Sequence, residues 1–253
     1  MTTVSGVSAN NAGQDGFDIS SIVPTSLRNF SFAGWFFPST SAVFLNMAKV
    51  SGATDLILES KSGHYRFWIS YSEAHDHTGG ALSASAWAFV GVTVDGAGNL
   101  KMWRGADMES FSLTADLDSI TEVRVGATTY DNNPASYVGP FAFWNSEVSE
   151  ANMDAMAAGA NIGGYSPTQY FDDLSGAGPH AAAIGSGTAT EVGTIGDAPS
   201  DPPMDEATPA SEATPSPLPF GFTVPAPYST HIVKTTAGGS SDPLRAVGMR
   251  RTI

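Results

Sequence analysis

The chain is 253 residues long, carries 25 Asp and Glu against 11 Lys and Arg for a net charge of −14, and has no cysteine. Lack of cysteine excludes disulfides and thiolate metal centres, and no apolar run reaches the roughly 18 residues of a membrane-spanning helix, so no membrane partner is expected. A surface that tracks phosphates needs clustered cations, and between Arg124 and Lys234 there is not one Lys or Arg, which argues against nucleic acid as a ligand of the body of the chain.

The opening residues Met1 to Gly6 lack the basic and apolar regions of a secretory leader, so synthesis and folding in a cytoplasm are expected. Phe30 to Phe37 is too apolar and aromatic for an exposed strand and stops at Pro38, which makes it the central strand of a sandwich. Tyr65 to Tyr71 alternates, with Tyr65, Phe67, Ile69 and Tyr71 on one face and Arg66, Trp68 and Ser70 on the other. Trp68 is therefore an aromatic on a polar face. Trp87 leads into Ala88 to Val94, and after the turn from Asp95 to Asn99 the run Leu100 to Arg104 returns as the second half of a hairpin. Val123 to Gly126 and Tyr137 to Trp144 read as further strands. The single helical segment starts at the N-cap Ser149, runs from Glu150 to Ala158 and ends at Gly159. Trp35, Trp68, Trp87, Trp103 and Trp144 all fall in the first 144 residues, which places the core there. Short strands, frequent glycine turns and one short helix predict an all-β fold, an antiparallel β-sandwich or jelly roll.

Composition changes near residue 196. Residues 197–227 hold nine of the sixteen prolines and several acids, which favours extended, polyproline-like backbone. The expected organisation is a folded domain over 1–196, a Pro-rich acidic linker over 197–227 and an extended docking arm over 228–253. Phe220, Phe222, Tyr228, Ile232, Val233, Leu244 and Ile253 supply apolar anchors for that arm, and Arg245, Arg250 and Arg251 supply charge. The plainer alternative is a linker whose end has no role.

Five motifs in order carry a resemblance to a known family: Phe30 to Trp35, Trp87 leading into Val90 to Gly96, Leu100 to Gly105, Val123 to Gly126, and Tyr137 to Phe141 running on to Val148-Ser149-Glu150. Together they resemble the laminin G-like and concanavalin A-like lectin jelly rolls over about residues 1–196. The resemblance implies a sandwich in which residues 170–196 supply a terminal strand moved to the end of the domain. It also implies that the loop holding Asp131 and Asn132 is a candidate calcium site, the one cofactor in view. An Asx turn explains the same residues.

Glucanases of this fold carry two glutamates flanking an aspartate at alternate positions of one strand, and no Glu-x-Asp-x-Glu pattern or near variant exists in the sequence. Glu147 and Glu150 stand at a strand-to-helix junction, which should aim them apart, and no nucleophile elbow, phosphate loop or His-Glu-x-x-His site is present, so no enzymatic activity is expected. His75-Asp76-His77 is the one compact cluster of ligand-type side chains. A glycan site on this fold stacks sugars on exposed aromatics beside polar groups, which singles out Trp68, His75, Asp76, His77, Tyr130, Asp131 and Asn132.

The functional expectation is a structural virion protein, of the capsid-decoration or tail-associated kind found in bacteriophages. It would be made in the host cytoplasm, form a homo-oligomer, display the lectin-like domain and be tied to other virion proteins by its C-terminal arm. The alternative is a carbohydrate-binding module or adhesin that recognises host surface glycans.

Overall fold

A computed structural model describes residues 5–7, 16–22, 28–38, 42–48, 55–69, 73–114, 120–126, 137–172, 174, 179–192, 195–197 and 200–205. The strands in chain order are β1 (Ser5–Val7), β2 (Gly16–Asp18), β3 (Phe30–Phe37), β4 (Ala42–Ala48), β5 (Asp55–Lys61), β6 (His64–Ile69), β7 (Glu73–His77) and β8 (Ala88–Val94). They continue with β9 (Asn99–Arg104), β10 (Asp107–Ser112), β11 (Glu122–Val125), β12 (Tyr137–Trp144), β13 (Gln169–Phe171), β14 (His180–Ala181), β15 (Thr188–Val192) and β16 (Ile195–Asp197). The helix α1 spans Glu150–Ala157.

Two antiparallel sheets form the sandwich. The first runs β10-β9-β8-β3-β12-β1-β16, with β13 also paired to β12, and the second runs β14-β15-β2-β11-β4-β5-β6-β7. Side chains alternate across a strand, so Phe30, Phe32 and Phe36 of β3 enter the interior with Val90, Val92, Leu100, Met102, Phe141 and Phe143 of β8, β9 and β12. Phe17, Leu45, Leu56, Leu58, Tyr65, Phe67, Val123 and Val125 meet them from the second sheet. Gly34 lets β3 and β12 approach closely, since a Cβ there would lie 2.9 Å from the Phe141 Cβ.

The outer face of the first sheet is also covered, which is why β3 reads as apolar throughout. Ala33, Trp35, Phe89, Trp103, Ala142 and Trp144 pack there against Val148, Met153, Met156, Ile162 and Tyr170. The helix is held at its start by Ser149, whose Oγ accepts from the Asn152 N–H at 3.4 Å. Trp103 Nε1–H donates to Asp154 Oδ1 at 2.9 Å and ties sheet to helix. The expected β8–β9 hairpin is present. Asp95 Oδ1 accepts from the N–H groups of Ala97 and Asn99, and Gly98 takes a φ of +86°, open to glycine at little cost.

The start of the Pro-rich segment belongs to this body. Trp87 Nε1–H donates to the Ser200 main-chain oxygen at 3.0 Å, the Asp205 N–H donates to Gly159 O at 2.7 Å, and Met204 packs into the layer over the first sheet. Chain contacts divide the protein at Thr208, with Met1–Thr208 as one unit, so the physical edge of the domain falls beyond residue 196. The arm residues from Phe220 to Ile253 lie outside the described residues.

Candidate functional site

The outer face of the second sheet carries the most continuous set of polar and aromatic positions. Register aligns Thr190, Asp18, Arg124, Asn46, Ile57, Trp68 and Ala74 in one row across seven strands. The alternation expected for Tyr65 to Ile69 is observed, with Tyr65, Phe67 and Ile69 buried and Trp68 half-buried on the outer face. Ile57 and Glu59 are 8% and 7% exposed, so the outer face is covered over β5, although Ile57 belongs to neither apolar cluster. A second row, Glu59, Arg66 and Asp76, runs beside it. Arg66 Nε donates to Glu59 Oε1 at 2.8 Å, and His64 Nδ1 lies 3.2 Å from Asp76 Oδ2.

Arg124 is the least satisfied group on the face. Its Nη2 lies 2.6 Å from Glu122 Oε1, while Nε and Nη1 are buried with no hydrogen-bond partner. An unpaired buried donor costs about 1–3 kcal/mol. Glu122 already neutralises the charge, so the two free N–H groups suit neutral oxygen acceptors. Trp68 and Arg124 stand three strand spacings apart, roughly 14 Å, the span of a short oligosaccharide lying across the strands. Asp18 completes this end of the row, its Oδ1 accepting from the N–H and hydroxyl of Ser20 at 2.8 and 2.6 Å.

The structure divides the residues expected to form one glycan site. Asp76 shares the outer face with Trp68, but His75 and His77 pair with Phe67 and Tyr65 and share their inner face. There they form a polar seam between the edge strands β7 and β10. His75 Nε2 lies 2.5 Å from Glu73 Oε1, and the His75 ring packs on Phe111 with centroids 5.0 Å apart. His77 Nδ1 accepts from the Gly79 N–H at 3.1 Å and lies 3.9 Å from Glu109 Oε1. The Thr78 hydroxyl, followed by its N–H, holds the Glu109 carboxyl below its ordinary range. Trp68 and the two histidines therefore cannot meet one ligand on one face. Among the described residues no group of three or more His, Asp or Glu side chains converges as a metal site. Tyr130, Asp131 and Asn132, with their calcium option, lie outside the described residues.

Glu147 and Glu150 are not aimed apart as expected. Both lie beside Lys101, whose Nζ is 3.7 Å from Glu147 Oε1 and 3.5 Å from Glu150 Oε2. Arg124 is the residue that sequence reasoning missed. Its alternation with Val123 and Val125 put it on the outer face, but its row depends on which strands are neighbours.

The sequence matches no protein-family model and no curated protein. Among solved structures, a protein from Bacteroides ovatus ATCC 8483 classed as carbohydrate binding is similar over 80% of this chain, at 12% identity and a TM-score of 0.57. The chain spans 62% of that protein's length. Domain 4 of AbnA, an extracellular arabinanase of Geobacillus stearothermophilus solved with arabinotriose, is similar over 61% of this chain and 87% of its own, at 15% identity and a TM-score of 0.48. Mouse laminin α1 domains LG4-5 are similar over 58% of this chain and 43% of their own, at 9% identity and a TM-score of 0.46. The first of these likenesses establishes the fold, an antiparallel jelly-roll sandwich.

Proposed function

We propose that the protein is a non-catalytic carbohydrate-binding module that holds a neutral oligosaccharide on the outer face of its second sheet. The observation that carries this reading is the single row containing Trp68 and Arg124, with two N–H groups of Arg124 unpartnered. An indole offers an apolar surface for the C–H face of a sugar ring, and Arg124, whose Nε and Nη1 are buried and reach a ligand only when its side chain turns outward, offers donors for hydroxyl oxygens. Asp76, exposed in the adjacent row, is an acceptor for sugar hydroxyls. A glycan array probed with the wild-type protein and Trp68→Ala tests it: binding to neutral oligosaccharides that disappears in the variant supports the reading, and silence of the wild-type across neutral glycans overturns it.

The setting we propose for this module is a virus particle, with the segment after residue 205 as its tether. The support is the sequence layout beyond that point, an acidic Pro-rich spacer followed by apolar anchors and a basic end. Co-purification of a 231–253 deletion with the particle tests the tether separately from the sugar site.

A further inference from the structure

We infer a second binding site, for an acidic sugar residue, in a cleft at the end of β8 and β9. The cleft has a volume of about 290 Å³ and is walled by Trp35, Trp87 and Phe89, with Ser83 and Arg104 at its polar side. It lies apart from the Trp68–Arg124 row and shares no residue with it, so each site stands or falls alone.

Two observations point to the ligand. The indole N–H of Trp35 is buried and finds no hydrogen-bond partner, although Trp35 lines the cleft. Arg104 is fixed but weakly neutralised: Nε donates to Gly80 O at 2.9 Å and Nη2 to Ala81 O at 3.0 Å, while the nearest carboxylate oxygen among the described residues, Asp107 Oδ2, is 3.8 Å from Nη1. Main-chain carbonyls hold a guanidinium in place without cancelling its charge. Among the described residues no carboxylate lines the cleft itself. Aromatic walls, a fixed cation and additional donors match a ring with one apolar face, a carboxylate and further oxygen acceptors. A hexuronate has all of these. An aromatic carboxylate has the ring and the charge but no further oxygens for Trp35 and Ser83.

The indole N–H signals of ¹⁵N-labelled protein, assigned with Trp35→Phe and Trp87→Phe, report on the cleft during titration with sodium glucuronate, glucose or benzoate. Glucuronate is expected to move the Trp35 and Trp87 signals and to bind about tenfold or more tightly than glucose, the difference a charge-assisted hydrogen bond makes. Ala86→Trp, which fills the cleft from its exposed rim without removing a ligand group, should abolish the shifts. Asp107→Asn should strengthen glucuronate binding by removing the competing carboxylate. Equal binding of glucose, tighter binding of benzoate than of glucuronate, shifts confined to other tryptophans, or no shifts at all would each overturn the assignment.

Discussion

The Tyr65 hydroxyl donates to the main-chain oxygen of Trp103 at 2.8 Å, a hydrogen bond from the second sheet to the first through the interior. Burial holds this phenol far above its ordinary pKa, with Arg104 pulling weakly the other way. The folded state therefore keeps the proton after the unfolded chain has lost it. Stability is unaffected by this group below about pH 10 and falls above it, by up to about 1.4 kcal/mol per pH unit. Tyr65→Phe should cost about 1 kcal/mol at neutral pH and make the alkaline loss less steep, as read by urea unfolding from pH 7 to 11.

Trp103 is fully buried, and its one indole donor is spent on Asp154 of the helix. Asp154→Ala leaves that donor without its acceptor and should destabilise the domain by about 1–3 kcal/mol. Asp154→Asn keeps a side-chain oxygen and should cost clearly less. Chemical unfolding of the two variants separates the hydrogen bond from helix propensity.

Residues 200–205 behave as part of the body. Truncation after Thr208 should leave the melting transition where it is, whereas truncation after Pro199 removes the Ser200 acceptor of Trp87, the Asp205–Gly159 hydrogen bond and the packing of Met204. The shorter chain should lose roughly 1–3 kcal/mol. Equal stability of the two truncations would show that this segment contributes nothing.

The central strand, the β8–β9 hairpin, the capped helix and the outward placement of Trp68 were all legible in the sequence, because each depends on periodicity or turn chemistry over a few residues. Strands β4, β5, β7 and β10 were not read. The pairing of β4 slips between Val43 and Leu45, which breaks its alternation. β7 carries Glu73, His75 and His77 on its inner face, where an apolar pattern would have marked a strand, because that face meets Glu109 and Phe111 at the sandwich edge. The row joining Trp68 to Arg124 rests on β11 lying beside β4, a long-range pairing that no local pattern reveals.

If the proposed tether holds the domain on a virus particle, deleting residues 231–253 should leave the domain's unfolding transition unchanged and abolish its recovery with purified particles. Retained stoichiometry in the particles would remove the tether from the account.

The most direct measurement of the central claim is a double-mutant cycle on the sheet face, with dissociation constants for one neutral oligosaccharide measured for wild-type, Trp68→Ala, Arg124→Gln and the double variant. Thermal unfolding of each verifies the fold, and Ala86→Trp serves as the control for the separate cleft. Each single change should weaken binding by about tenfold or more, with the double variant showing no measurable affinity and the control binding like wild-type. Wild-type affinity in both folded single variants would contradict a sugar site on this face.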